Sequence, residues 1–82
     1  MKGSMEIEVV PLIGPSRRLR LEVAFDERVG KIVEKVSREV GVSGYFFKIV
    51  GKGRVLSEEA VIGEVVKDVG NTFYFYPEVM GG

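Results

Sequence analysis

The sequence predicts an α+β fold, a two-layer roll in which one mixed sheet of four to five strands packs on a single helix. Three observations carry the prediction. Several short runs alternate apolar and polar residues, the period of a half-buried strand. One run in the first half changes to helical spacing. Segments bearing glycine and proline separate the runs.

The first strand begins at Met5, with Met5, Ile7 and Val9 on one face and Glu6, Glu8 and Val10 on the other. Met1–Ser4 precede the pattern and are read as an expression remnant. The domain is expected over residues 5–76, with a flexible tail over 77–82. "PLIGPSRR" reads as a loop. From Arg18 to Val23 the alternation returns, Leu19, Leu21 and Val23 against Arg18, Arg20 and Glu22. The two runs should form an antiparallel hairpin that brings Glu6 and Glu8 near Arg18 and Arg20.

Val29, Ile32, Val33, Val36 and Val40 then make one helical stripe, with charged residues on the other side. Asp26 and Glu27 suit the positive end of this helix, and Gly41 suits its C-cap. Valine is a mediocre helix former, so packing on the sheet must hold the helix more than propensity does.

"YFFKIV" is the third strand, with Phe47 and Ile49 on one face and Phe46, Lys48 and Val50 on the other. "GKGRVL" turns into a short strand around Arg54–Leu56. "SEEAVIGEVV" suggests one helical turn capped by Ser57, with Ile62, Val65 and Val66 plugging the core, and "KDVGN" reads as a turn. In the last strand, Thr72–Tyr76, Phe73 and Phe75 face inward and Tyr74 and Tyr76 outward. Pro77 has no N–H and is expected to stop the ladder.

Composition narrows the function. A chain of 82 residues makes one domain and has little core to spare for an internal active site. Twelve basic residues balance twelve acidic ones, which argues against a nucleic-acid or anionic-membrane binder. There is no cysteine and no histidine, so thiol chemistry and the commonest general base are both missing. No apolar run reaches membrane-spanning length. "GPSRR" lacks the spacing of a phosphate-binding loop and reads as a hairpin turn. A cytoplasmic monomer that is not an enzyme and binds no metal or cofactor is expected.

The order β-β-α-β-(β)-β, closed by Gly81 and Gly82, resembles the ubiquitin-like β-grasp family from Met5 to the end of the chain. "KGRVLSEEAVIGEVVKDVGNTFYFYPEVMGG" is similar to the corresponding half of ubiquitin without a gap. "DERVGKIVEKV" and "FYFYPEVMGG" look more like the sulfur-carrier branch: the molybdopterin synthase small subunit, the thiamine-pathway sulfur carrier and the archaeal small modifiers. The resemblance implies that an E1-like adenylating enzyme uses ATP to convert the Gly82 carboxylate to an acyl-adenylate. A thiocarboxylate for a sulfur acceptor, or an isopeptide with a target-protein lysine, would follow.

The tail suits that chemistry. Pro77 fixes its own φ and biases Tyr76 toward extended backbone. Gly81 and Gly82 have no Cβ, so they fit a narrow channel and leave the carboxylate open to attack. A second candidate site is the outer sheet face, where parity gathers Phe46, Lys48, Val50, Tyr74 and Tyr76, with Pro77 where the tail leaves. By the resemblance the third and last strands are neighbours, and Val50, Tyr74 and Tyr76 lie where ubiquitin carries its hydrophobic recognition patch. Arg54 and Val69 stand where ubiquitin has its two best-known chain-building lysines, and "YPEVM" departs from its arginine-rich tail. Two other readings stand beside this one. The chain could be a non-covalent interaction module that works through its sheet face. It could also be a single-stranded RNA platform built on Tyr74, Tyr76 and Phe46, against which the zero net charge argues.

Overall fold

A computed structural model describes residues 3–12, 17–41 and 46–78, with the side chains of Phe46 and Glu78 left aside. The elements run β1 (Ser4–Pro11), β2 (Leu19–Ala24), α1 (Val29–Val40), β3 (Phe46–Gly51), β4 (Arg54–Val55), α2 (Ile62–Val69) and β5 (Thr72–Glu78). One five-stranded sheet has the order β2-β1-β5-β3-β4. β5 enters its centre, parallel to β1 and antiparallel to β3. The first and last strands of the chain therefore lie side by side.

The alternation read from the sequence sorts the sheet's two faces. Ile7, Val9, Val23, Phe47, Ile49, Phe73 and Phe75 are buried, and Val29, Ile32 and Val36 of α1 close over them. Each such side chain contributes about 1.5–3 kcal/mol by leaving water. The rings of Phe47 and Phe75 stack with centroids 4.5 Å apart and planes 17° apart, a pairing worth about 0.5–1.5 kcal/mol more. The expected C-cap is present: Gly41 is left-handed at φ 78°, and its N–H donates to the carbonyl of Ser37.

The two helices start without side-chain caps. Each takes its cap from the backbone that leads into the other. The N–H groups of Val29 and Gly30 donate to the carbonyls of Ala60 (2.9 Å) and Glu58 (3.0 Å). Those of Ile62 and Gly63 donate to the carbonyls of Glu27 (2.8 Å) and Phe25 (2.9 Å). An isolated antiparallel bridge between Arg28 and Val61 joins the two starts. This satisfies N–H groups that a helix start otherwise leaves unpaired. It also requires close approach: a Cβ on Gly63 would lie 2.7 Å from the Phe25 oxygen, and one on Gly30 would lie 3.3 Å from the Glu58 oxygen. The Val-Gly pair that opens α1 has a steric reason.

Several local expectations are corrected. Ser57 caps a turn and not a helix: its Oγ accepts from the N–H of Glu59 at 3.2 Å, and its carbonyl accepts from the N–H of Ala60 at 3.1 Å. The helix begins later, at Ile62, and runs through Lys67–Val69, which had read as a turn. The first turn of α1 carries no acid. Glu27 instead accepts from the Ala24 N–H at 3.2 Å and pairs with Lys35 at 2.7 Å. In the hairpin Glu8 does face Arg20 and reaches Arg18 at 3.2 Å, but Glu6 faces Glu22.

The sheet also reaches further at both ends of the domain. Gly3 and Ser4, read as part of a remnant, take part: Ser4 pairs with Ala24, and the Gly3 carbonyl accepts from the Phe25 N–H. Pro11 ends β1, and β5 passes through Pro77 to Glu78, opposite Phe47 and Phe46. Direction explains why neither proline breaks the ladder. The Glu8 N–H bonds the Asn71 carbonyl, so even residues of β1 aim at β5 and Pro11 aims past Leu19, the last residue paired in β2. The Leu12 N–H bonds the Phe75 carbonyl, so odd residues of β5 aim at β1 and Pro77 aims past its end. Tyr76 and Glu78 carry the ladder to β3. Each missing N–H points where no strand partner stands among the described residues.

Candidate functional site

The outer face of the sheet assembles from register. Val50 stands opposite Tyr74, and Lys48 opposite Tyr76. On the other side of β5, Val10 is the register partner of Tyr74. Across β3, Val55 faces Val50. One row, Val10–Tyr74–Val50–Val55, thus crosses four strands. Tyr74 is 45% exposed and Val55 55%, while Val10 and Val50 are half-buried. Leu12, two residues beyond Val10, is 61% exposed. The β2 end of the same face is polar, with Glu8, Arg18 and Arg20.

Of the residues expected here, Lys48, Val50, Tyr74 and Tyr76 share this face. Phe46 takes the matching register position opposite Glu78. Pro77 does not join them. It has the parity of Phe73 and Phe75 and stands opposite Phe47, on the face that carries the core. Gly81 and Gly82 lie outside the described residues. The sequence reading missed Val10, Val55 and Leu12 as members. Parity had already put Val10 outward, but its place beside Tyr74 depends on the register of two strands far apart in sequence.

Among the described residues, no group of three or more potential metal ligands comes together. No polar or charged side chain among them is buried. A buried acid or base is a usual mark of an active site, and the described part of this face holds none. On it, aliphatic side chains surround a tyrosine that offers a large apolar area with a polar tip.

No family model and no curated protein matches the chain. Solved structures do. It is similar to the ubiquitin of Caldiarchaeum subterraneum, with a TM-score of 0.78 and 29% identity over 98% of this chain and 100% of that one. A chain of the pParkin–pUb–UbcH7 complex superposes with a TM-score of 0.77 at 20% identity, covering 93% of this chain and 23% of that chain. A structure described as molecular mimicry of SUMO in DNA repair gives a TM-score of 0.72 at 14% identity, over 88% and 89%. The fold is the ubiquitin-like β-grasp. Proteins with this fold are typically carriers or modifiers and not enzymes, and its modifiers bind no cofactor themselves. No helix of the described residues is long and apolar enough to cross a membrane.

Proposed function

We propose that this chain is a ubiquitin-like sulfur carrier or protein modifier whose Gly82 carboxylate is activated by a partner. An E1-like enzyme forms the acyl-adenylate with ATP. The acyl group then becomes a thiocarboxylate for a sulfur acceptor or an isopeptide on a target-protein lysine. The observation that carries this reading is the course of β5, the sheet's central strand, which leads directly into the segment ending in Gly81 and Gly82. Gly82 lies four residues beyond Glu78. Four extended residues span at most about 14 Å, so an enzyme that engages Gly82 must also come close to the sheet. The likeness to an archaeal ubiquitin over that protein's full length supports the reading. So does the pParkin–pUb–UbcH7 complex, in which a chain that carries this fold over 23% of its length is assembled with other proteins.

The test is trapping of the activated carboxylate. Incubated with ATP and an extract of the cells that make it, the full chain should yield a hydroxamate at Gly82 when hydroxylamine is added. Deleting Gly81 and Gly82 should abolish it. A full chain that is never labelled would sink the reading. The Val10–Tyr74–Val50–Val55 row favours a second reading, a non-covalent module acting through its sheet face. Partner capture that survives the Gly-Gly deletion would favour that one.

A further inference from the structure

β2 ends the sheet, and among the described residues no strand pairs with its outer side. Parity says what that open edge offers. The Phe25 N–H donates to the Gly3 carbonyl, so odd residues of β2 aim their backbone groups at β1 and even ones aim away. The Ala24 N–H is taken by the Glu27 carboxylate at 3.2 Å. The N–H and carbonyl groups of Arg20 and Glu22 are left facing outward. Charged side chains normally blunt such an edge. Here the two charges are opposite in sign, so they repel some strands and match others.

The side chains point the same way. Glu6 and Glu22 are exposed and stand opposite each other in register. Like charges directly opposite one another on a sheet are unfavourable. Among the described residues neither makes an ion pair. Glu22 accepts a hydrogen bond from the Ser4 hydroxyl at 2.8 Å, which does not neutralise it. Arg20 is exposed and also outside any ion pair among the described residues, because Glu8, its register partner, is held by Arg18 at 3.2 Å. A cation and a pair of carboxylates, each uncompensated, thus share one open edge. On the inner face of the same strand Leu19 and Leu21 are only half-buried.

We propose that this edge pairs non-covalently with the β2 edge of a second copy of the chain. Antiparallel pairing about a two-fold axis at Leu21 sets Arg20 of each copy against Glu22 of the other. Both residues aim outward, so each such pair exchanges both of its backbone hydrogen bonds. Each Glu6–Glu22 pair gains a cation. On the inner face the two Leu21 side chains meet at the axis, and Leu19 meets Val23. Other registers fail. Centred on Leu19, Arg20 or Glu22, the pairing sets like charges face to face. Centred on Val23, it needs the Ala24 N–H that Glu27 holds. The edge is therefore self-complementary in one register, which a strand of unrelated sequence would not match. The outer row's Tyr74 lies two strands away, on β5, and the pairing does not depend on the activated tail. The monomer expected from the sequence is then the dilute form.

Sedimentation equilibrium of the full chain tests this. One strand pair makes a small interface, so a monomer–dimer equilibrium is expected as loading rises to about 1 mM. R20E and E22R should each weaken association about tenfold, by setting like charges across the axis. An equimolar mixture of the two variants should regain it, since each then meets its opposite. The chain has no cysteine, so L21C supplies a single thiol at the axis. Facing Cα atoms there would be about 4.5 Å apart, within reach of a disulfide, and mild oxidation should link the copies. L19C, whose two copies would lie about 13 Å apart in this register, should stay unlinked. A chain that is monomeric at every concentration overturns the proposal, whether its edge then takes another protein's strand or none. Association that persists in R20E and E22R, or that fails to return in their mixture, also overturns it. So does equal linking of L19C and L21C.

Discussion

Alternate residues of β5 do opposite work. Phe73 and Phe75 are fully buried, and Phe75 stacks on Phe47. Tyr74 is 45% exposed and centres a row of half-buried and exposed aliphatics. The strand is shared, so the difference lies in what each face meets: α1 on one side, solvent on the other. Burial energy holds the inner face, and the outer one leaves apolar side chains partly exposed. A small domain can thus present a site without spending core on it.

Substitutions can break that division or sharpen it. The largest effect is expected from Phe75→Ala, which leaves a cavity under α1 and an unstacked Phe47. It should cost about 3–5 kcal/mol in urea unfolding, a large share of the stability of a domain this size. A cost near zero would mean the inner face is not the structural one. Next comes Gly63→Ala. Its new Cβ meets the Phe25 carbonyl that caps α2, and the Phe25–Gly63 contact cannot yield without disturbing both helix starts. About 1–3 kcal/mol of stability should go, the usual cost of overpacking.

Tyr74→Ala should reverse the pattern. Its stability cost is about 0.5 kcal/mol, that of cross-strand pairs with Val10 and Val50. Its affinity cost should be about 1–2 kcal/mol if the row is gripped by a partner, read as the chain concentration that gives half-maximal hydroxamate trapping. The smallest effect is a gain. Lys52, between β3 and β4, has a left-handed backbone at φ 50°. Lys52→Gly removes that strain and should raise stability by about 0.5 kcal/mol after glycine's own entropy is counted. A loss there would mean that the lysine side chain helps to hold the turn.

Much of the inner face was legible because it is periodic. The alternation of β5 and the valine stripe of α1 each report one element meeting one core, and a local pattern suffices for that. What the sequence concealed depends on segments far apart in the chain. Pro77 looked like the end of a ladder because a missing N–H is costly only where a partner strand stands, and that depends on where β1 ends. Ser57 looked like a helix cap because nothing local reveals that carbonyls of Phe25 and Glu27 already cap α2. Val10 and Val55 could not be joined to Tyr74 and Val50 until the strand order was in hand. Ser4 fell before the apolar pattern, yet it finds a partner in Ala24 and bonds the Glu22 carboxylate through its hydroxyl at 2.8 Å.

The account turns on the Gly82 carboxylate, and intact mass tests it most directly. The protein is purified with a free C-terminus from the cells that make it and weighed whole, beside a chain lacking Gly81 and Gly82. The account predicts a population with one carboxylate oxygen exchanged for sulfur, or heavier adducts carrying a target protein, and neither in the shortened chain. An unmodified carboxylate under every growth condition, with a shortened chain that behaves like the full one, would contradict it.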